Sequence, residues 1–164
     1  MFEIPHVINY LLWLGAVGCG LLGGVYFAFS AFIMTALGRI DPTQGKSAMN
    51  SINSTILRSS FMPLFFGTTI VSGALVAVAI FWSSEPGATL MLAGAVIYIF
   101  GMTLCTIFFN VPLNNALARS EAANGATAVS AWSRYLNVWT RWNHVRAISS
   151  TVTSALYIAA ISAR

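Results

Sequence analysis

Charge is the scarcest commodity in this chain. Of 164 residues only 7% are charged, as eight basic and four acidic side chains. A soluble globular chain carries about 25% charge, so a water-facing surface on every side is excluded. Histidine and cysteine are equally sparse, at two each. Cys19 and Cys105 fall inside apolar runs, where they read as small buried side chains, and no Cys–His spacing suggests a metal finger. His6 and His144 flank different runs, and no carboxylate stands inside one, which makes a poor ligand set. No metal and no cofactor is therefore expected. The formal charge of +4 includes no basic cluster on a soluble module, so nucleic acid is excluded as a partner.

What the chain has instead is apolar length. It is 57% hydrophobic, and four runs are nearly free of charge: Val7–Gly38, Phe61–Ser84, Ala88–Ala118 and Ala147–Ala163. Three exceed the ~20 residues that cross a ~30 Å hydrocarbon core, and the last reaches the lower limit. Arg146 and Arg164 can snorkel at its ends. In lipid such runs must be helices, which satisfy their own backbone hydrogen bonds. The expected fold is all-α, a polytopic membrane four-helix bundle forming one domain over residues 1–164. The first run is too long for a secretory signal and no cation precedes it, so it is kept as a permanent span.

Arg39, Lys46 and Arg58 lie between the first two spans. Arg119, Arg134 and Arg141 lie between the last two. The Ser83–Gly87 turn and the N-terminus offer only Glu85 and Glu3. By the cation rule both termini face away from the cytoplasm, with amphipathic helical segments in the two cytoplasmic loops. Arg164 dissents. The expected location is the cell membrane as a multi-pass protein, with membrane lipids as partners; a homo-oligomer is left open.

Along the chain, Gly20-x-x-x-Gly24 has the spacing of close helix packing. Asp41-Pro42 ends the first helix. Beyond it Met49, Ile52, Ile56 and Leu57 recur at helical spacing, with Asn53 on the same side. Thr103, Thr106, Asn110 and Asn114 share one face of the third span. Pro112 removes a backbone donor beside them and predicts a kink. The small polar stretch Ser120–Val129 reads as a flexible loop. Asparagine in a span is costly unless bonded, so Asn110 and Asn114 need partners, whether as helix-end caps or as part of a site.

The last span opens on Trp139-Thr-Arg-Trp-Asn-His-Val-Arg146. Wound as a helix, Trp132, Tyr135, Leu136, Trp139, Trp142, Asn143 and Arg146 form one stripe about 120° wide. It continues through Ser150, Thr153, Ser154 and Tyr157, while Arg134 and Arg141 point away. This face is expected to line the bundle interior. Asn53, Asn110, Asn114, Trp139, Trp142 and Asn143 are the candidate binding residues of an amphipathic pocket for a flat aromatic small molecule.

Gly24-Val-Tyr-Phe-Ala-Phe-Ser-Ala-Phe-Ile-Met34, the Asn-Val-Pro-Leu-Asn-Asn run at 110–115 and the Trp139–Arg146 stretch together resemble the anthrone-oxygenase-like family of small four-helix membrane proteins. The resemblance covers almost the whole chain. It implies the bundle fold and, from a fungal branch, oxidation of anthrones to anthraquinones; the first reading is then an oxygenase without a tightly bound cofactor. In that chemistry a base generates a carbanion that reacts with dioxygen. His144 is the default base by its reference pKa, and Arg146 would stabilise the enolate oxygen. These two are the candidate catalytic residues, although His144 projects about 120–140° from the centre of the stripe. The alternative is a non-catalytic membrane module that binds hydrophobic molecules or serves as a subunit, with Trp142 and Arg146 forming a structural cation–π pair.

Overall fold

A computed structural model describes residues 4–120 and 125–164, and in these every regular element is a helix. Helix α1 (Ile4–Ala28) runs through a π-helical turn, Phe29–Ile33, into the short α2 (Met34–Leu37). Then come α3 (Pro42–Ile56), α4 (Phe61–Phe81) and α5 (Ala88–Tyr98). Two more π-helical turns, Ile99–Leu104 and Thr106–Asn110, lead from α5 into α6 (Val111–Arg119), and α7 (Gly125–Ser162) closes the chain. Four stretches are long and apolar enough to cross a membrane: Pro5–Leu37, Phe61–Phe81, Ala88–Arg119 and Thr127–Ser162.

The local chemistry explains the breaks. Asp41 caps α3, its carboxylate accepting from the Thr43 and Gln44 amides at 2.9 and 3.3 Å, with Pro42 in the first turn. Gly87 ends the turn between α4 and α5 at φ 78°, and a Cβ there would stand 2.9 Å from the Ala160 carbonyl oxygen. Only glycine meets both demands. Pro112 lies in the first turn of α6, directly after a π-helical turn. The regular i→i−4 ladder is already interrupted there, so its missing donor is accommodated.

The fourth crossing differs from expectation. Residues 125–162 form one continuous helix of 38 residues, roughly 57 Å long at 1.5 Å per residue. The segment before 147 is therefore not a separate loop helix. Counting charge set the expected boundary at Arg146, yet Arg146 is buried. No glycine or proline interrupts the helix beyond Gly125, and most of the stripe from Trp132 to Tyr157 is buried. Of the expected loop Ser120–Val129, residues 121–124 lie outside the described part, as does Glu3, and the remainder from Gly125 belongs to α7.

Helix α7 packs against α1 and α5, and α4 packs against the same two. The main core gathers Leu12, Leu22, Tyr26, Leu75, Met91, Tyr98, Met102 and Tyr157. Close approach on α1 centres on Gly15, where a Cβ would meet the Tyr157 ring at 2.8 Å, and on Gly18, which abuts Thr68. Of the expected pair, Gly20 touches Ser154 but Gly24 has nothing within 4 Å, so it is not a packing glycine. A second core joins Met34, Met49, Leu117, Trp132, Tyr135 and Trp139. It seats the amphipathic face of α3 on α7 and α6 rather than only on a membrane surface. At the opposite end Arg164 pairs with Glu85 at 3.0 Å and donates to the Pro5 and Pro86 carbonyls, which accounts for the one cation at odds with the rest.

Candidate functional site

The site grows from one helix face and one widened turn. Asn143 is fully buried on α7. Its Nδ2 donates to the Tyr26 carbonyl and to Ser30 Oγ, both at 2.7 Å. Its Oδ1 accepts from Arg146 Nη2, also at 2.7 Å. Both partners on the first helix lie at or just before its π-helical turn, a feature that in general accompanies functional sites. Asn143 thus fixes the guanidinium three residues along the helix.

Arg146 is only 5% exposed and is held between rings. Its Cζ lies 4.3 Å from the Tyr26 ring centroid and 5.0 Å from that of Trp139. Its Nε has no hydrogen-bond partner, nor has the indole nitrogen of Trp139. Of the carboxylates in described residues, Asp41 caps α3 and Glu85 pairs with Arg164. The magnitudes then matter. Burying a guanidinium costs several kcal/mol, and a cation–π contact offsets about 2 kcal/mol when desolvated. Two such contacts and one hydrogen bond offset much of that cost, yet Arg146 pairs with no carboxylate among the described residues and its Nε stays unpartnered, which leaves room for an anionic group.

The space for one is present. A cleft of about 880 Å³ is lined by Tyr26, Phe29, Phe61, Phe65, Trp139 and Arg146, with Asn50, Asn53 and Ser54 from α3 and Thr106, Asn114 and Asn115 from the third crossing. Tyr135 ties the polar side together: its hydroxyl donates to Asn114 Oδ1 at 2.8 Å and accepts from Asn53 Nδ2 at 3.5 Å. The rings Trp132, Tyr135 and Trp139 are stacked in sequence at 5.8 and 5.7 Å between centroids.

Four of the expected site residues, Asn53, Asn114, Trp139 and Arg146, line this cleft. Asn110 and Asn143 are fully buried behind its wall. Asn110 donates to the Trp139 carbonyl at 3.3 Å and accepts from Cys105 Sγ at 3.8 Å, so it ties the third crossing to α7. Trp142 is not among the lining residues. Its indole stacks on Phe109, 3.7 Å between centroids and 7° from parallel. The expected Trp142–Arg146 pair is replaced by Tyr26 and Trp139, because Trp142 sits at the edge of the stripe and turns to the third crossing. His144 is exposed and does not line the cleft. One position past Asn143 rotates it about 100° off the buried face, so contact with a molecule in the cleft does not follow from its place.

Phe61 and Phe65 were missed among the lining residues. Their i, i+4 spacing at the start of α4 was the available signal. In the described residues no three His, Cys, Asp or Glu side chains gather as metal ligands.

The arrangement defines a class: a small all-α protein with four helices fit to cross a membrane and an aromatic-walled, cationic cleft at one end. The family model for Anthrone oxygenase matches residues 58–156, which include α4 to α6 and most of α7. The chain belongs to the anthrone oxygenase family. Comparison with curated proteins and with solved structures gave no match.

Proposed function

We propose that the protein is an oxygenase for a flat polyphenolic molecule, and the observation that carries this reading is the buried Arg146 guanidinium, with an unpartnered Nε and no carboxylate partner among the described residues, beside an aromatic cleft. The ring body lies among Tyr26, Phe61, Phe65 and Trp139, with a keto or phenol oxygen on Arg146. Loss of a proton from the ring methylene forms an enolate, whose negative oxygen the guanidinium stabilises. The carbanion carbon passes its electrons to dioxygen and forms a C–O bond. Loss of water from the resulting hydroperoxide leaves a carbonyl, so one oxygen atom enters the product and the other leaves as water. Water reaching the α3 side of the cleft takes the first proton, since His144 does not line the cleft. We place the protein in the cell membrane with the cleft near the cytoplasmic leaflet, from the cations around α3 and the start of α7.

Oxygen uptake with an anthrone tests the reading. Arg146→Gln is expected to lower turnover roughly 10²–10³-fold, as loss of an oxyanion donor does. His144→Ala is expected to turn over as wild type does. Turnover that survives Arg146→Gln and disappears in His144→Ala would overturn the assignment.

A second reading, a non-catalytic binder of hydrophobic molecules, is favoured by the same placement of His144 outside the cleft. No oxygen uptake by wild type, together with a raised melting temperature on adding an anthraquinone, would select it.

A further inference from the structure

The rim of the cleft is as informative as its depth. Phe66, Ile107 and Val111 all line the cleft, yet they are 54%, 49% and 41% exposed. Phe66 lies on α4, Ile107 in the π-helical turn Thr106–Asn110 and Val111 at the start of α6. All three belong to stretches apolar enough to cross a membrane. Helix α4 packs on α1 and α5, whereas α6 packs on α3 and α7. Between the first turns of α4 and the 106–111 stretch, then, helix packing does not close the wall. The end beneath α3 is mixed, with Asn50, Ser51, Asn53 and Ser54 beside Met49, Ile52, Ile56 and Leu57. Apolar mouth, mixed roof and buried cation follow one another across a single cavity.

We infer that this gap between α4 and α6 is a lateral window, through which the cleft takes a membrane-dissolved flat amphiphile bearing one acidic oxygen. The inference rests on the reading of the cleft as the ligand site and adds the ligand's class and route. A molecule dissolved in the bilayer has already shed the water around its rings, so sliding between Phe66 and Val111 exposes no apolar surface. Passage from the α3 side takes the same rings out of the bilayer and past the amides and hydroxyls of α3. The window stays at the level of the hydrocarbon, and the acidic oxygen rides at the interface until it meets Arg146.

The test uses the full chain in phosphatidylcholine vesicles with anthracene-2-carboxylic acid as probe, followed by the anisotropy of its own emission. Ile107→Trp and Val111→Trp fill the window from exposed positions, while Thr55→Trp crowds the α3 side from an exposed position outside the cleft lining. The window variants are expected to slow association and dissociation together by about tenfold or more; both positions line the cleft, so the paired slowing, not Kd, is the readout. Thr55→Trp is expected to leave both rates within about twofold of wild type. Slowing by Thr55→Trp alone, with both window variants at wild-type rates, would overturn the window and leave the ligand site standing. No binding of the probe by wild type would overturn the anionic-ligand reading, and the window with it. Melting temperatures of the variants near that of wild type show that rates, not folding, have changed.

Discussion

Asn143 shows how much of the site hangs on a single amide. Both of its polar atoms are engaged, by Tyr26, Ser30 and Arg146. Alanine in its place leaves the Tyr26 carbonyl and the guanidinium without that partner inside the bundle. Asn143→Ala is therefore expected to destabilise by about 1–3 kcal/mol, seen as a lower melting temperature in detergent, and to weaken binding of an anionic aromatic. Wild-type stability in this variant would count against the network. The sequence made the inward stripe legible, since Asn143 and Arg146 are three apart on one helix. It did not reveal the partners: Tyr26 and Ser30 lie 117 and 113 residues away along the chain, and no local period reports such a distance. The same limit explains the expected pairing of Trp142 with Arg146, where spacing on one helix was right and rotation toward Phe109 decided otherwise.

At the scale of elements, packing separates glycines that look alike in sequence. Gly94 and Gly15 hold the Tyr157 ring between them, with would-be Cβ contacts of 2.9 and 2.8 Å. Gly94→Val must displace that ring and is expected to cost about 1–3 kcal/mol. Gly24→Ala, in open space on the same bundle, should be neutral or gain up to about 1 kcal/mol from the better helix former. Thermal denaturation of the two variants side by side checks the contrast. Helix α3 was legible from its apolar spacing and the Asp41-Pro42 start. The three π-helical turns were not, because they express how α1 and the third crossing fit α7 rather than any residue preference. The reach of α7 was misjudged for a related reason: an arginine reads as an end of a span until a folded interior is found to hold it.

For the molecule as a whole, the contacts of Arg164 with Glu85 and Pro5 bring the N-terminal helix, the α4–α5 turn and the C-terminus to one end. Helix α3, α6 and the first turns of α7 occupy the other. The proposed orientation puts the first end outside. Ser84→Cys should then react with a membrane-impermeant thiol reagent in intact cells, and Ser51→Cys only after the membrane is opened. Both native cysteines are buried and should stay silent. Labelling with the opposite pattern would reverse the orientation and move the cleft to the outer leaflet.

Composition and periodicity alone determined that the chain is helical, that it has four lengths fit for a bilayer and that one face of the last helix turns inward. Those are properties of neighbouring residues, written in spans of a few turns. Which rings enclose Arg146, and that Asn110 and Asn143 support the wall instead of lining it, were settled only by tertiary structure, whereas the turn of His144 off the inward face already follows from its place on the helix. The reason is physical: a buried cation takes whatever rings and amides the packed helices bring within a few ångströms, and that choice is made between segments far apart in the chain.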